Sequence, residues 1–342
     1  MVFAIVVLSM AVGFLIIERI IIRRSVTALQ MRIHINGTRG KSSVVRYIAA
    51  GLSETDPAVL AKVTGVVPSL ISSGIVQVLG RTGVARVQEQ FNIIRLASRR
   101  GIKKLVLECM SISPDLQQLE SRVFKPHIYV ITNIKDDHRE NMGSSIREQA
   151  ESICNAIPAS CTVVTNETRF LDLIKEKAAK LNSTVVVPEI DKTIVYPDLP
   201  YGIFAENLAL ALTVCILAGV DSKSALKGIL NSARAEDSPH RKIKAGAGEL
   251  NFLNAFAVND VESTESFIRY WREKLNPKQK YSIIFNTRAD RPLRTDQLTS
   301  WIGDRSLEIE KVMLTGTHGE RAFRKLKKSS INNNNIQLLR LK

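Results

Sequence analysis

Aromatic residues are scarce in this 342-residue chain, 6% of the total, and it holds only five histidines and four cysteines. The cysteines (Cys109, Cys154, Cys161 and Cys215) show no Cys-x-x-Cys or other zinc spacing. That removes a zinc ribbon or a disulfide scaffold and points to free thiols in a reducing compartment. Few aromatics, and no dense basic run interleaved with them, leave little for bases to stack on. A nucleic-acid groove is therefore disfavoured despite a formal net charge of +15. The charge suits an anionic membrane surface or an acidic substrate instead. Apolar and charged fractions of 45% and 24% are ordinary for a globular protein and exclude wholesale disorder. The length exceeds one typical domain, so two folded units are the starting expectation.

Charge is missing altogether from Met1 to Ile17. Glu18 and Arg19 interrupt, Ile20–Ile22 follow, and Arg23 and Arg24 close the segment. A cleaved secretory signal has its positive charge before the apolar run and a small-residue site after it. Here the charge comes after, and no Ala-x-Ala follows. Residues 1–24 are thus expected to form a retained single-pass anchor in the cell membrane, stretched by snorkelling of the charges. The arginine excess would hold the remainder in the cytoplasm. The competing reading is a buried core helix.

Beyond the anchor, strand-like apolar runs at Met31–Ile35, Lys104–Cys109, His127–Thr132, Thr162–Thr165 and Thr184–Val187 alternate with helical patterns. The helical patterns include Val87–Arg100, Ser145–Ala156 and Phe170–Leu181. This alternation predicts an α/β domain over 25–240, a parallel sheet wrapped by helices. Phe204–Ala218 and Ser222–Leu230 read as further helices, and Ala235–Gly248 as a junction. A second, smaller Rossmann-like unit is expected over 250–342, with strands at Phe252–Val258, Tyr281–Asn286 and Lys311–Thr315. Its last strand, Ile336–Leu341, has no closing helix after it, so the unit reads as incomplete.

The chemistry starts at Asn36-Gly-Thr-Arg-Gly-Lys-Ser-Ser43, between the first strand and a helix that begins near Ser42. Gly37 and Gly40 can adopt backbone angles closed to other residues, so that successive N–H groups, including those of Thr38 and Arg39, point at phosphate oxygens. Lys41 supplies charge for the β/γ-phosphates, and the Ser42 hydroxyl, followed by Ser43, is placed to ligate Mg²⁺. A helix N-terminus favours the same anion. The common pattern needs a glycine five residues before Gly40, where this chain has Ile35. The loop reads as a phosphate-binding loop for ATP or GTP; the competing reading is an incidental strand-to-helix turn.

Glu108 ends a strand, and carboxyl ends of strands form the ligand crevice of an open α/β sheet. It is expected to hold Mg²⁺ beside the loop; the competing reading is a solvated strand-end glutamate. Asp137 and His138 follow the next strand at the same edge, making His138 a second metal ligand or an acid/base. Asn207, near the start of an apolar helix, offers both donor and acceptor to an adenine edge, or else caps the helix. Arg241 and Asp260 gain interest only from this company.

Taken together, the loop, Leu107-Glu-Cys-Met-Ser-Ile-Ser-Pro-Asp115, Asn133-Ile-Lys-Asp-Asp-His138, Asn259-Asp260 and Asn286-Thr-Arg-Ala-Asp-Arg291 resemble the Mur ligase superfamily of ATP-dependent amide ligases. Within it the resemblance is to the ligase subunit of poly-γ-glutamate synthase, the PgsB/CapB type. The resemblance implies ATP-driven γ-linkage of glutamate through an acyl phosphate, for a poly-γ-glutamate capsule, with other synthase and export subunits at the membrane. It implies that residues 37–43 grip the ATP phosphates, and that Ser42, Glu108 and His138 hold Mg²⁺. Asn207 would then meet adenine, Arg241 the γ-phosphate, and Asp260 the ribose or the closing domain. The chain departs from the family after His138, where it reads Arg-Glu-Asn-Met-Gly, and it has no lysine from Arg139 to Pro158 to bridge a second metal ion. Relatives also run some fifty residues further. Two alternatives stay open: a non-catalytic, membrane-tethered nucleotide-binding subunit of an export complex, and an amide ligase for another amino acid.

Overall fold

The structure is a computed structural model and describes residues 2–65, 67–81, 83, 85–137, 139–189, 205–235, 240–246, 248–256, 258, 260–289 and 291–339. His138, Asn259 and Asp290 lie outside the described residues. The chain divides into two compact units, 1–237 and 238–342.

The first unit opens with helix α1 (Val2–Thr27) and continues through β1 (Met31–Asn36), α2 (Lys41–Ser53), β2 (Val59–Val63), β3 (Ser69–Ser72) and β4 (Ile75–Val78). Then come α3 (Gln88–Arg99), β5 (Lys104–Glu108), α4 (Pro114–Phe124), β6 (Ile128–Ile131), the single turn α5 (Arg139–Met142) and α6 (Ile146–Asn155). The unit closes with β7 (Thr162–Thr165), α7 (Leu171–Lys180), β8 (Thr184–Val186), α8 (Ala205–Leu217) and α9 (Ser222–Ala235). Local chemistry sets several of these boundaries. Ser145 and Glu148 form a reciprocal capping box that starts α6. Pro114 occupies the first turn of α4, where its missing N–H has no intrahelical partner to lose.

These strands form one sheet in the order β4-β3-β2-β5-β1-β6-β7-β8. Six strands, β2 to β8 in that order, run parallel, whereas β3 and β4 are antiparallel additions at one edge. The expected all-parallel sheet is therefore a mixed one. The strand β2 escaped the sequence reading because Lys62 breaks its apolar run, and β3 and β4 because each has only four residues.

Alternation along the strands divides the core. Ile33, Ile35, Val106, Val130 and Val164 face α2, α8 and α9. Leu105 and Leu107 point the other way, against Phe91 and Ile94 of α3 and Phe124 of α4. Burial on both faces explains the unbroken apolar runs that marked these strands. All four cysteines are buried and free.

Helix α1 runs past Arg24 to Thr27 and shares a core cluster with α3 through Ile22 and Val26. Glu18 pairs with Arg95 of α3 at 3.7 Å. Its large apolar residues from Val2 to Ile21 stay exposed. By length and composition the helix can cross a membrane: its 26 residues rise about 39 Å against a hydrocarbon core of roughly 30 Å.

The second unit begins with an antiparallel hairpin, β9 (His240–Ala245) and β10 (Gly248–Leu253), turning at Gly246 with φ 60°. Sequence reading assigned 235–248 to a junction and a strand to 252–258; both are corrected here. Residues 240–244 and 248–251 leave no apolar stripe, because most of them are exposed, so periodicity gave no signal. The rest follows as α10 (Val261–Leu275), β11 (Tyr281–Thr287), α11 (Pro292–Gly303), β12 (Ile309–Gly316), α12 (Gly319–Leu326) and β13 (Ile336–Leu338). Strands β11, β12 and β13 form a parallel three-stranded sheet. Val312, Leu314, Trp301, Ile302, Ala322 and Leu326 make up its core.

Candidate functional site

Register places the loop after β1 between two other strand ends. Ile35 pairs with Glu108 at the end of β5, and Asn36 with Ile131 at the end of β6. A loop at that position in an open sheet sits in the ligand crevice. Gly37 and Gly40 have φ of 120° and 79°, a region that other residues enter at a cost. A side chain on Gly40 would also strike Asn207, whose Oδ1 lies 2.8 Å from the place a Cβ would take.

The loop is braced from β6. Thr38 and Arg39 donate their N–H groups to the main-chain carbonyl and side-chain Oδ1 of Asn133, at 2.9 and 3.0 Å. Thr38 Oγ1 accepts from the Lys135 N–H at 3.1 Å, and Arg39 pairs with Asp137 at 3.2 Å. Asn36 donates to Gln117 and Tyr129, both at 2.8 Å, and its Oδ1 accepts the Gly37 N–H. Lys41 donates to the Gly37 carbonyl at 2.6 Å, folding its ammonium over the loop. Helix α2 starts at Lys41, so its N-terminal partial charge faces the same spot.

Glu108 is buried, 3% exposed. The Ser42 hydroxyl lies 3.0 and 2.9 Å from its two oxygens, and the Thr64 N–H donates to Oε2 at 2.8 Å. A carboxylate and a hydroxyl held together at the mouth of a phosphate loop are hard oxygen donors of the kind that Mg²⁺ takes alongside phosphate. The geometry thus brings Gly37, Thr38, Arg39, Gly40, Lys41, Ser42, Ser43, Glu108 and Asn207 to one edge.

Arg241 and Asp260 belong to the second unit. Arg241 is exposed on β9. Asp260 caps α10: its carboxylate accepts from the Ser263 N–H and hydroxyl, each at 2.8 Å. Asn207 is 7% exposed, and the main chain next to it is tied to β7 by Asn166, which donates to the Glu206 carbonyl at 2.6 Å.

Sequence reasoning missed the support behind Glu108. Lys62 has no exposed side-chain surface and donates to Glu89 at 2.7 Å and to Gln90 at 2.8 Å. Gln90 in turn donates to the Glu108 carbonyl at 2.7 Å and to Glu120 at 3.0 Å. Glu120 accepts from the N–H and hydroxyl of Ser111 and sits 3.5 Å from His34 Nε2. Burial opposes ionisation of Glu120, yet the bonds from His34, Ser111 and Gln90 outweigh it and hold the carboxyl below its usual range. Burial likewise pushes the neighbouring Cys109 thiol well up, so it is no nucleophile. The one available signal was a lysine inside a strand, Val59-Leu-Ala-Lys-Val63, followed by Thr64-Gly65.

Comparison with known proteins agrees with this arrangement. Residues 35–198 match the Mur ligase middle domain, and residues 240–342 match the poly-gamma-glutamate synthase CapB C-terminal domain. PGA synthase CapB of Bacillus subtilis (strain 168) is 30% identical over 285 residues, spanning 81% of this chain and 72% of the relative. The chain belongs to the CapB family of poly-γ-glutamate synthases. Capsule biosynthesis protein CapB of Bacillus anthracis is 30% identical over 289 residues, 80% of this chain and 61% of that protein. Among solved structures, the bifunctional folylpolyglutamate synthase/dihydrofolate synthase from Yersinia pestis, complexed with AMPPNP and a Mn ion, superposes with a TM-score of 0.66. The match is 13% identical and covers 94% of this chain and 83% of that one, a likeness of fold. As a CapB-family chain on a Mur ligase fold, the protein is an ATP-dependent ligase.

Proposed function

We propose that this chain activates the γ-carboxylate of glutamate with ATP and joins it to the α-amine of another glutamate, extending poly-γ-glutamate. The observation that carries the reading is the pairing of Ser42 with the buried Glu108 at the mouth of the phosphate loop. A loop that only bound nucleotide as a scaffold would have no need of an oxygen-donor pair sequestered there.

The γ-phosphoryl group of ATP passes to a γ-carboxylate oxygen, giving an acyl phosphate and ADP. The α-amine of the second glutamate attacks the acyl carbon, the C–O bond to phosphate breaks, the amine loses a proton, and a γ-amide remains. No protein nucleophile is needed, because the substrate carboxylate fills that role. The N–H groups of Thr38 and Arg39, expected to meet phosphate, are instead held by Asn133, so the N–H groups at the start of α2 and the Lys41 ammonium orient the β/γ-phosphates and offset charge on the transferring group. Ser42 and Glu108 are the residues that would hold Mg²⁺, which when bound neutralises phosphate charge. His138 is assigned to the same task by family resemblance alone, as are Asn207 to adenine, Arg241 to the γ-phosphate and Asp260 to the ribose. The domain roles follow: residues 25–240 bind ATP, residues 250–342 form the closing ligase domain, and α1 anchors both to the membrane with the catalytic part in the cytoplasm.

The test is glutamate-dependent ADP release by membranes carrying the chain with its synthase partners, beside a Lys41→Ala control. Release that needs both glutamate and Lys41 supports the ligase. ATP binding without glutamate-dependent turnover refutes it in favour of a non-catalytic subunit, and stimulation by a different amino acid redirects the substrate assignment.

A further inference from the structure

Within the second unit, two adjoining concavities of about 620 and 260 Å³ lie along α11 and α12. Asp296, Arg321, Arg324, Lys325 and Lys328 line the larger one. The smaller shares Lys325 and Lys328 and adds the hydroxyls of Ser300, Ser329 and Ser330. The two form one groove with four cations in its larger part.

Helix α12 is strictly one-sided. Ala322 and Leu326 enter the core, whereas Arg321, Arg324, Lys325 and Lys328 are exposed in and just beyond it. The carboxylate in the larger cavity is already engaged: Arg321 lies 2.5 Å from Asp296 Oδ2, and Lys325 donates to the Asp296 carbonyl at 3.0 Å. Glu320, one turn before Arg324, approaches it at 3.6 Å on an exposed face, too loosely to cancel it. The larger part of the groove is therefore net cationic, and the smaller part sets Lys325 and Lys328 against Asp304 alone. It also descends from the edge at which β12 ends towards the far end of α12, because the helix starts directly after that strand.

We infer that this groove is a track for the acidic polymer itself, binding successive α-carboxylates of a γ-linked polyglutamate chain. The inference rests on the ligase reading above. A γ-linkage consumes the side-chain carboxylate and leaves one α-carboxylate, hence one negative charge, on every residue. Cations three and four apart on a helix stand about 5–6 Å from one another, a ladder suited to a repeating charge. The serine hydroxyls that continue the groove already donate to the carbonyls of Asp296, Leu326 and Gly303, so their oxygens are left to accept from the amide N–H groups between those charges. Single glutamate would meet only one rung, so the track selects polymer over monomer by multivalency.

The experiment uses the full chain in detergent micelles and fluorescently labelled poly-γ-glutamate, followed by anisotropy, with free glutamate and duplex DNA as competitors. The expected result is saturable binding that weakens as salt rises, resists millimolar glutamate, and falls at least ten-fold in a Lys325→Glu/Lys328→Glu variant. An Arg324→Gln/Lys328→Gln variant, expected to lose at least three-fold, serves if charge reversal prevents folding, which a thermal melt reports. Unchanged affinity in folded variants overturns the inference. So does displacement by DNA as effective as by unlabelled polymer, which would mark a basic face without selectivity. Polymer binding needs no ATP: wild-type chain that binds polymer but shows no glutamate-dependent ADP release sinks the ligase reading and leaves the groove standing.

Discussion

Glu108→Gln separates a metal-holding carboxylate from a structural one. The carboxylate accepts the Thr64 N–H at 2.8 Å and faces the Ser42 hydroxyl at 2.9–3.0 Å. Glutamine has the same shape. Its Oε1 can keep the Thr64 bond and its Nε2 can donate to Ser42 Oγ, a hydroxyl that also accepts. Both contacts survive in number, so the folding cost should be about 1 kcal/mol or less, the scale of one adjusted hydrogen bond. The negative charge, by contrast, is lost at a site 3% exposed, where water can do little to replace it. Glutamate-dependent ADP release should fall at least about 100-fold in kcat/KM, equivalent to roughly 2.7 kcal/mol of transition-state stabilisation. The Mg²⁺ concentration for half-maximal activity should rise in parallel. The assays are a coupled ADP release titration in Mg²⁺ and a urea melt of the same preparation. Turnover within three-fold of wild type, at unchanged Mg²⁺ demand, would refute the metal role. Matched losses of stability and activity would make Glu108 a structural residue.

Three other outcomes are expected. Gly40→Ala puts a Cβ 2.8 Å from Asn207 Oδ1 at φ 79°, so nucleotide affinity should drop at least about ten-fold by calorimetry; adding Asn207→Ala should not restore it, because the backbone strain persists. Lys62→Met leaves Glu89 with Arg81 alone and Gln90 short of a donor, and should cost about 2–3 kcal/mol in a denaturant melt, below the full cost of orphaning a buried charge because Arg81 remains at 2.8 Å. Burial raises the Glu89 pKa, but the hydrogen bonds from Arg81 and Lys62 outweigh it and hold it at about 2 against 4.5 when unperturbed. That depressed value means its stabilisation is complete above about pH 4.5 and lost as pH falls towards 2. Arg81→Ala should therefore narrow the stability gap between pH 5 and pH 2.5; an identical gap in both proteins counts against the pairing.

The sheet edge that carries the glycine loop was legible because its signals are local. A strand buried on both faces reads as an apolar run, Gly37 and Gly40 announce the left-handed turn, and Lys41-Ser42 follow at fixed spacing. Glu108 was legible for the same reason, as the carboxylate that ends such a run. The helical pattern from Ser145 was legible too, and the structure starts α6 there with a Ser145–Glu148 capping box. What stayed hidden depends on residues distant in sequence. No local pattern says that the Thr64 N–H, 44 residues upstream, completes the Glu108 shell, or that Asn133, 94 residues downstream of Arg39, braces the loop. The hairpin of β9 and β10 hid differently: with so much of both strands exposed, no periodic apolar face formed.

Lys62 joins these two lessons. A lysine in mid-strand reads as evidence against a buried strand, and the sequence reading passed over β2 accordingly. In the structure that lysine is why the neighbouring strand can end in a charged residue. Its ammonium anchors Gln90, Gln90 holds the Glu108 carbonyl and Glu120, and Glu120 gathers the Met110 and Ser111 N–H groups. The turn 108–111 is thus fixed from behind by buried groups whose bonds are made among themselves, which leaves the Glu108 carboxylate aimed forward at Ser42. Precision at the mouth of the loop is produced on the far face of the sheet, so the residue that most obscured the fold is one that the candidate site depends on.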